Sequence, residues 1–302
     1  MGGILITGGA GFVGSNLARS LLASGHDVRV LDDFDAVRTA YLEGLPVRRT
    51  NGTIEDPAVV RRAVKGADAV VHLAAMSGVA PSVEHPERDF AVNVHGTFNV
   101  LDAVRRAGVP RVVFASSGAV LAGAAPPLAE SQIPSVLSPY GASKLYGEAA
   151  LQAFQSVYGF TGIALRFSNL YGPNCDHKRS VVAEFLRRAL HGRPLVIYGN
   201  GRQTRDFLHV EDVCRAVEIA LRSPSSGVFQ LGTGVETSVA RLANLVQKAA
   251  GRRLDIERRP PRPGEAARNY VDPSKARRVL RWAARVALPD GLAATYAWLR
   301  DR

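Results

Sequence analysis

Cysteine is scarce in this chain: Cys175 and Cys214 are the only two among 302 residues. Two thiols in these positions build neither a disulfide framework nor a zinc site, so a reducing compartment is expected. No apolar run is long enough to span a bilayer, and no basic n-region precedes the first one. Neither a signal peptide nor a membrane segment is therefore expected, and the cytoplasm is the expected location. Internal repeats, low-complexity segments and a basic tail are missing too, and no His, Cys, Asp or Glu residues stand at metal-ligand spacing, so no metal is expected. The net charge is +11, but the arginines behind it, such as Arg61, Arg62, Arg105, Arg106, Arg187 and Arg188, are scattered through helical segments without aromatic interleaving. That scatter argues against a nucleic-acid partner; solvated helix faces and an anionic substrate account for the charge.

What is present describes an ordinary globular protein: 46% hydrophobic and 22% charged residues, in a length that allows one large α/β domain plus a smaller lobe. The stretch from Ile4 to Gly14, ILITGGAGFVG, is an apolar run entering a glycine turn and then an amphipathic segment, Ser15 to Ser24. Strand, tight turn and helix in that order let Gly8, Gly11 and Gly14 open a path for a pyrophosphate to reach backbone N–H groups and a helix N-terminus. A second strand, Asp27 to Leu31, ends on Asp32 and Asp33. Asp32 stands about 20 residues past the last glycine, where a carboxylate accepts from ribose hydroxyls and repels a 2′-phosphate. NAD is therefore the expected cofactor.

Further strands are expected at Pro46–Arg49, Ala67–Leu73 and Arg111–Ala115, alternating with helices at Pro57–Lys65 and Pro86–Ala107. The alternation requires right-handed crossovers, hence a Rossmann-type doubly wound parallel sheet. From about Pro173 the pattern breaks into shorter elements, including a helix at Val181–His191. The expected organisation is a cofactor domain over residues 1–172, with returning segments from about 205–232, and a smaller C-terminal substrate-binding lobe over 173–302.

A second constellation carries the chemistry. Tyr140 and Lys144 stand four apart at the start of a helix opened by SPYGASK, so both lie on one face. A free phenol titrates near about 10. A positive charge held close favours phenolate, so Lys144 together with an oxidised nicotinamide is expected to lower the Tyr140 pKa and produce a base for an alcohol. Ser117, after the fifth strand, can hydrogen-bond the same oxygen. A histidine ending an apolar strand, His72, is read as structural.

With these residues in view, the chain resembles the extended short-chain dehydrogenase/reductase family, in particular nucleotide-sugar epimerases of the UDP-glucose 4-epimerase type. The resemblance rests on TGGAGFVG (Thr7–Gly14), HLAA (His72–Ala75), NVHGT (Asn93–Thr97), SPYGASK (Ser138–Lys144), RFSNLYGP (Arg166–Pro173), GNGRQTRDFLHVED (Gly199–Asp212) and RPGE (Arg262–Glu265). It implies catalytic roles for Ser117, Tyr140 and Lys144. It implies a cofactor site made of Gly8, Gly11, Phe12, Val13, Asp32, Asp33, Thr53, Ile54, Leu73, Ala74, Ala75 and Ala115, with Tyr140 and Lys144. For a nucleotide-sugar substrate, a UDP-sugar above all, it implies contacts from Ser117, Asn169, Tyr198, Arg205, Arg262 and Glu265. A homodimer is implied through the helices after the fourth and fifth strands.

The same resemblance bears on the reaction. Related 4,6-dehydratases carry an Asp-Glu pair where this chain has Gly118 and Ala119, and related decarboxylases keep a Glu at the latter position. The expected activity is therefore inversion at C4 through a transient 4-keto sugar, with a 4-ketoreductase and a non-catalytic NAD-binding protein as alternatives. Three departures stand out. Thr53 replaces an adenine-contacting Asp, the usual VYG reads Val120-Leu121-Ala122, and Lys178 and Arg179 form a basic pair that is read as part of an exposed loop in preference to a site for an acidic sugar.

Overall fold

A computed structural model of the chain describes residues 3–34, 39–261 and 266–302. The first half contains β1 (Gly3–Thr7), α1 (Phe12–Ala23), β2 (Asp27–Asp32), β3 (Arg48–Asn51), α2 (Pro57–Val64), β4 (Ala69–His72), α3 (Val79–Glu84), α4 (Pro86–Asp89), α5 (Thr97–Ala107), β5 (Arg111–Ser117), α6 (Pro139–Tyr158) and β6 (Thr161–Phe167). The second half contains β7 (Asn169–Tyr171), α7 (Val181–Leu190), β8 (Leu195–Tyr198), β9 (Thr204–Arg205), β10 (Phe207–His209), α8 (Val210–Arg222), β11 (Gly227–Leu231), β12 (Thr237–Ser238), α9 (Val239–Ala249), β13 (Ile256–Arg259), α10 (Ser274–Val279) and α11 (Leu288–Arg300).

Seven strands form one parallel sheet in the order β11-β6-β5-β4-β1-β2-β3. All five residues of β1 are buried, as a parallel strand covered on both faces requires. Successive side chains alternate between faces. Ile4 and Ile6 accordingly join the core built with Leu17, Leu21, Val213 and Val217, whereas Leu5 joins the one built with Val60, Val104 and Leu151. The chain leaves β1 toward β2 and β3, then crosses back to β4, so the order reverses beside β1. Clefts that hold ligands open at such a reversal, at the carboxyl ends of the strands.

The remaining strands pair in twos: β7 with β10, β9 with β12, and β8 with β13. Around them α7, α9 and α11 close a separate apolar cluster that includes Phe185, Leu186, Ile197, Leu242, Val246, Leu292 and Tyr296.

Several elements differ from their expected limits. The third strand lies at Arg48–Asn51 rather than Pro46–Arg49, because its register is set by pairing with β2, Arg29 opposite Arg48 through Asp32 opposite Asn51. β4 is shorter than expected. β5 instead runs on to Ser117, which pairs with Phe167 of β6. α1 starts at Phe12, with Gly11 as its cap. The helix expected over Pro86–Ala107 is interrupted by a π-helical stretch, Phe90–Gly96. Such widened turns recur at functional sites, and here the widening carries the buried Asn93.

Candidate active site

The three glycines of the first turn do three different jobs. Gly8 has φ +69, and a Cβ on it would lie 2.7 Å from the Ala74 backbone. Gly14 lets α1 close onto the turn: its Cβ would lie 2.2 Å from the Gly8 carbonyl oxygen. At Gly11 a Cβ would meet only that oxygen, at 3.3 Å, so the space in front of it is open. Gly11 also caps α1 without any side-chain hydrogen bond, leaving the first N–H groups of the helix available to an anion. These features fit a dinucleotide diphosphate. Phe12 is buried and Val13 is half-buried at the start of the helix.

Asp32 is 5% exposed, and its carboxylate accepts from the Ala10 N–H at 2.9 Å and the Phe34 N–H at 3.2 Å. It therefore shapes the turn itself, while the adjacent Asp33 is exposed. Thr53 donates to Glu55 at 3.0 Å. Ile54 is buried, and its carbonyl accepts from the Asn99 amide at 3.0 Å. After β4 the Leu73 N–H donates to the Thr7 carbonyl at 3.1 Å and the Ala74 N–H to the Thr7 hydroxyl at 3.3 Å; Ala75 is half-buried in the same loop.

His72 is 1% exposed and sits between two hydroxyls. Thr97 spends its proton on the Asn93 carbonyl at 2.6 Å, so it accepts from the His72 Nε2–H at 3.1 Å; Thr7 then donates to Nδ1 at 2.7 Å. Burial, with some repulsion from Lys144, holds its pKa down to about 3. The ring is neutral, satisfied and structural. Asn93 pins the same loop: its amide oxygen accepts from the Met76 N–H at 2.9 Å and its NH2 donates to the Met76 carbonyl at 3.0 Å and to Asp89 at 2.7 Å.

At the carboxyl end of β5, Ser117 accepts from the Ala119 N–H at 3.1 Å and begins a one-turn 3-10 helix, Gly118–Leu121. Ser138 caps α6 by accepting from the Gly141 N–H at 3.1 Å, with Pro139 in the first turn, a strong N-terminal signal. Gly141 and Gly147 allow that helix to lie on β5 and its loop: their Cβ atoms would fall 2.7 Å from the Ala119 carbonyl oxygen and 2.2 Å from the Phe114 ring. Tyr140 and Lys144 are thereby brought to the end of β5. The Lys144 ammonium lies 5.7 Å from the Tyr140 ring centroid and donates to the Ala115 carbonyl at 2.9 Å.

Burial sets the protonation states of the chain by itself. Burial pushes the Tyr140 phenol up to about 12; a hydrogen bond with the Ser117 hydroxyl opposes this and Asp89 adds to it. Burial brings Lys144 down to about 8, against the pull of Asp89 and Glu148. Without a further positive charge the phenol is protonated at neutral pH. Burial is the reason, because it disfavours the charged phenolate.

Two residues escaped the sequence reading. Glu148 follows Lys144 by one helical turn, is buried, and takes a forked pair of bonds from Arg166, Nε to Oε1 and Nη2 to Oε2, both at 2.7 Å. The Ser116 hydroxyl also donates to it. An arginine inside the apolar strand GIALRF was the available signal. The pair fastens α6 to β6.

The residues expected at the substrate lie on short elements. Asn169 begins β7, and its N–H donates to the Asp206 carbonyl at 3.0 Å. Arg205, in β9, donates through Nη1 to the Ala266 carbonyl at 2.9 Å. Tyr198 ends β8, its carbonyl accepting from Gln203 at 2.7 Å. Arg262 and Glu265 lie outside the described residues. Between Arg205 and Phe207, the fully buried Asp206 accepts from the Thr233 N–H at 2.9 Å, the Thr233 hydroxyl at 2.7 Å and the Gly234 N–H at 2.9 Å. The expected basic pair is split: Lys178 donates to Ser77 at 3.0 Å, and Arg179 is exposed. Among the described residues no His, Cys, Asp or Glu cluster is arranged to hold a metal ion, and no helix is long and apolar enough to cross a membrane.

Residues 4–232 match the model of the NAD dependent epimerase/dehydratase family. A UDP-glucose 4-epimerase of Mycolicibacterium smegmatis is 37% identical over 315 aligned positions, covering 99% of this chain and 98% of that one. A UDP-glucose 4-epimerase of Thermotoga maritima, crystallised with UDP-glucose, superposes with a TM-score of 0.95 at 34% identity, covering 99% of each chain. The Thermus thermophilus UDP-glucose 4-epimerase in complex with NAD gives 0.92 at 35% identity, again over 99% of each. With the glycine turn, the Ser117–Tyr140–Lys144 grouping and these whole-length matches together, the chain belongs to the NAD dependent epimerase/dehydratase family.

Proposed function

We propose that this protein is an NAD-dependent epimerase that inverts C4 of a nucleotide-activated sugar, with a UDP-hexose as substrate. One observation carries the reading: Ser117, Tyr140 and Lys144 meet where β5 ends and α6 begins, and the two residues after Ser117 are Gly118 and Ala119. Dehydration needs further acid and base groups at the sugar, and neither of these side chains is ionisable. Epimerisation needs only the hydroxyl, the phenol and the cofactor.

Tyr140 takes the proton of the 4-hydroxyl and returns it after the transient 4-keto sugar has turned in its pocket, and Ser117 holds the same oxygen. Lys144 supplies a positive charge beside the phenol. NAD, when bound, supplies the reversible hydride acceptor and a further positive charge. Gly8, Gly11, Asp32 and Asp33 hold it, with Phe12, Val13, Thr53, Ile54, Leu73, Ala74, Ala75 and Ala115 as walls. Residues 173–302 serve mainly as the substrate lobe, where Asn169 from the adjoining strand, Tyr198, Arg205, Arg262 and Glu265 take the nucleotide and diphosphate. Planar guanidinium groups suit that diphosphate.

The test is proton NMR of the purified protein with UDP-glucose and no added cofactor. Interconversion with its C4 epimer is expected, and Tyr140→Phe should lower the rate by about 10²–10⁴-fold with binding of UDP-glucose retained. A fully active Tyr140→Phe enzyme rules the assignment out; consumption of added NADH with a 4-keto sugar would favour a ketoreductase.

A homodimer is part of the same proposal. Val83, Phe90, Phe98, Val157 and Tyr158 are 46–72% exposed on α3, the π-helical stretch, α5 and α6, and a second copy would cover this face. Sedimentation of wild type against Phe98→Glu tests it. The free thiols of Cys175 and Cys214 accord with a cytoplasmic location, which fractionation of the source cells would check.

A further inference from the structure

The segment after β7 lies across the glycine turn. The Pro173 carbonyl accepts from the Asn16 amide at 2.9 Å and the Asn174 amide donates to Ser15 at 3.0 Å, so the segment starts on the first turn of α1. Next, Asp176 accepts from the Tyr41 hydroxyl, and His177 lies 3.2 Å from the same hydroxyl; Tyr41 follows the end of β2. Then the Lys178 ammonium donates to Ser77 at 3.0 Å, in the loop that follows β4. In the sheet β2 and β4 flank β1. The side chains of residues 176–178 therefore reach toward both sides of the β1 turn. Arg187 donates to the carbonyl of Lys178 at 2.8 Å, and the Lys178 N–H donates to the Cys175 carbonyl at 2.9 Å, so the crossing is held as a turn.

The charge at this end of the cleft gives the crossing a purpose. A dinucleotide diphosphate carries two negative charges, and the N-terminus of α1 opposes them with only about half an elementary charge. No side chain assigned to the turn is cationic, and Asp32 and Asp33 are themselves anionic. Lys178 brings an ammonium to this place from a distant part of the sequence.

We propose that residues 173–178 form a strap over the bound cofactor and that Lys178 binds its diphosphate, retaining NAD between half-reactions. This rests on the glycine turn being the cofactor site. The ammonium is held on the cofactor side of the cleft by Ser77, so its charge acts on the dinucleotide rather than on the sugar.

The test uses wild type, Lys178→Ala, Lys178→Arg and Tyr41→Phe. Two quantities are measured: NAD released over time after gel filtration, and the dissociation constant of UDP-glucose by calorimetry. Loss of one charge-assisted contact predicts release from Lys178→Ala about tenfold faster than wild type, with UDP-glucose affinity within about twofold. Lys178→Arg should recover most of the retention. Tyr41→Phe, which removes one tie of the strap but leaves those of Arg302 and Arg187 to Asp176 and keeps the ammonium, should fall between. Release from Lys178→Ala at the wild-type rate, or a loss confined to UDP-glucose, overturns the proposal. A wild-type protein that binds no NAD would instead refute the cofactor reading of the turn.

Discussion

The two ends of the cleft are built by opposite means. At the cofactor end the backbone does the shaping: strand termini, positive-φ Gly8, and close approaches at Gly14 that a methyl group would block. Among the short strands of the second half, buried carboxylates tie backbone amides together. Asp206 gathers Thr233 and Gly234, and Asp212, also fully buried, accepts from the Arg285 N–H at 3.0 Å and the Val286 N–H at 3.1 Å. A continuous parallel sheet positions its ends through its own hydrogen bonds, whereas two- and three-residue strands need side chains to hold them. The two ends should therefore fail differently.

The largest effect is expected where the α6 helix is fastened to β6. Arg166→Met leaves the Glu148 carboxylate buried without its forked partner, and breaking a buried pair in this way costs about 3–5 kcal/mol. Urea denaturation should show that loss, and a Glu148→Leu/Arg166→Met double variant should recover part of it. Next comes the substrate end. Asp206→Ala removes three hydrogen bonds, two from half-buried Thr233 and one from exposed Gly234, each worth about 1.5–3 kcal/mol to a charged acceptor, and should weaken UDP-glucose binding at least about tenfold while NAD retention changes little. Equal loss of both ligands would erase the distinction between the ends.

At the cofactor end the glycines sharpen the same contrast. Gly14→Ala drives a methyl group into backbone and should cost about 1–3 kcal/mol of stability as overpacking. Gly11→Ala has room, so thermal melting should barely move while NAD binding falls. If both variants lose stability alike, the space in front of Gly11 is not kept for a ligand.

His72 allows a pH test of the cofactor end. Its folded pKa, about 3, lies below the unfolded value of about 6.5, so the unfolded chain binds more protons between them. Its contribution is complete above pH 6.5 and is lost as pH falls toward 3. Melting temperatures from pH 7 to 4 should drop less steeply for His72→Asn than for wild type. The smallest effect is expected at the exposed Arg48–Asp27 pair joining β3 and β2. Arg48→Ala should change stability by less than about 1 kcal/mol.

Much of the fold was legible because the strands of a parallel sheet are apolar runs spaced by amphipathic helices. Strand limits were less so. The third strand, RRTN, is an exposed edge with no apolar pattern, and only pairing with β2 defines it. Local spacing brought Tyr140 and Lys144 onto one face, but the direction of the Lys144 ammonium depends on the Ala115 carbonyl from another element. Burial, which spacing does not reveal, raises the phenol pKa. Glu148 gave no local sign of its partner, since Arg166 reaches it from the following strand.

By itself the sequence determined the alternation of strands and helices, the glycine turn and the helix that carries the catalytic phenol. Each of these depends on residues within a few positions of one another, where backbone conformation and helical periodicity act. Tertiary structure decided which distant groups meet: Asp206 with the 232–234 loop, Glu148 with Arg166, and Lys178 with Ser77 across the first turn. Those contacts join residues far apart in the chain, and only the order in which the strands pack brings them within hydrogen-bonding reach.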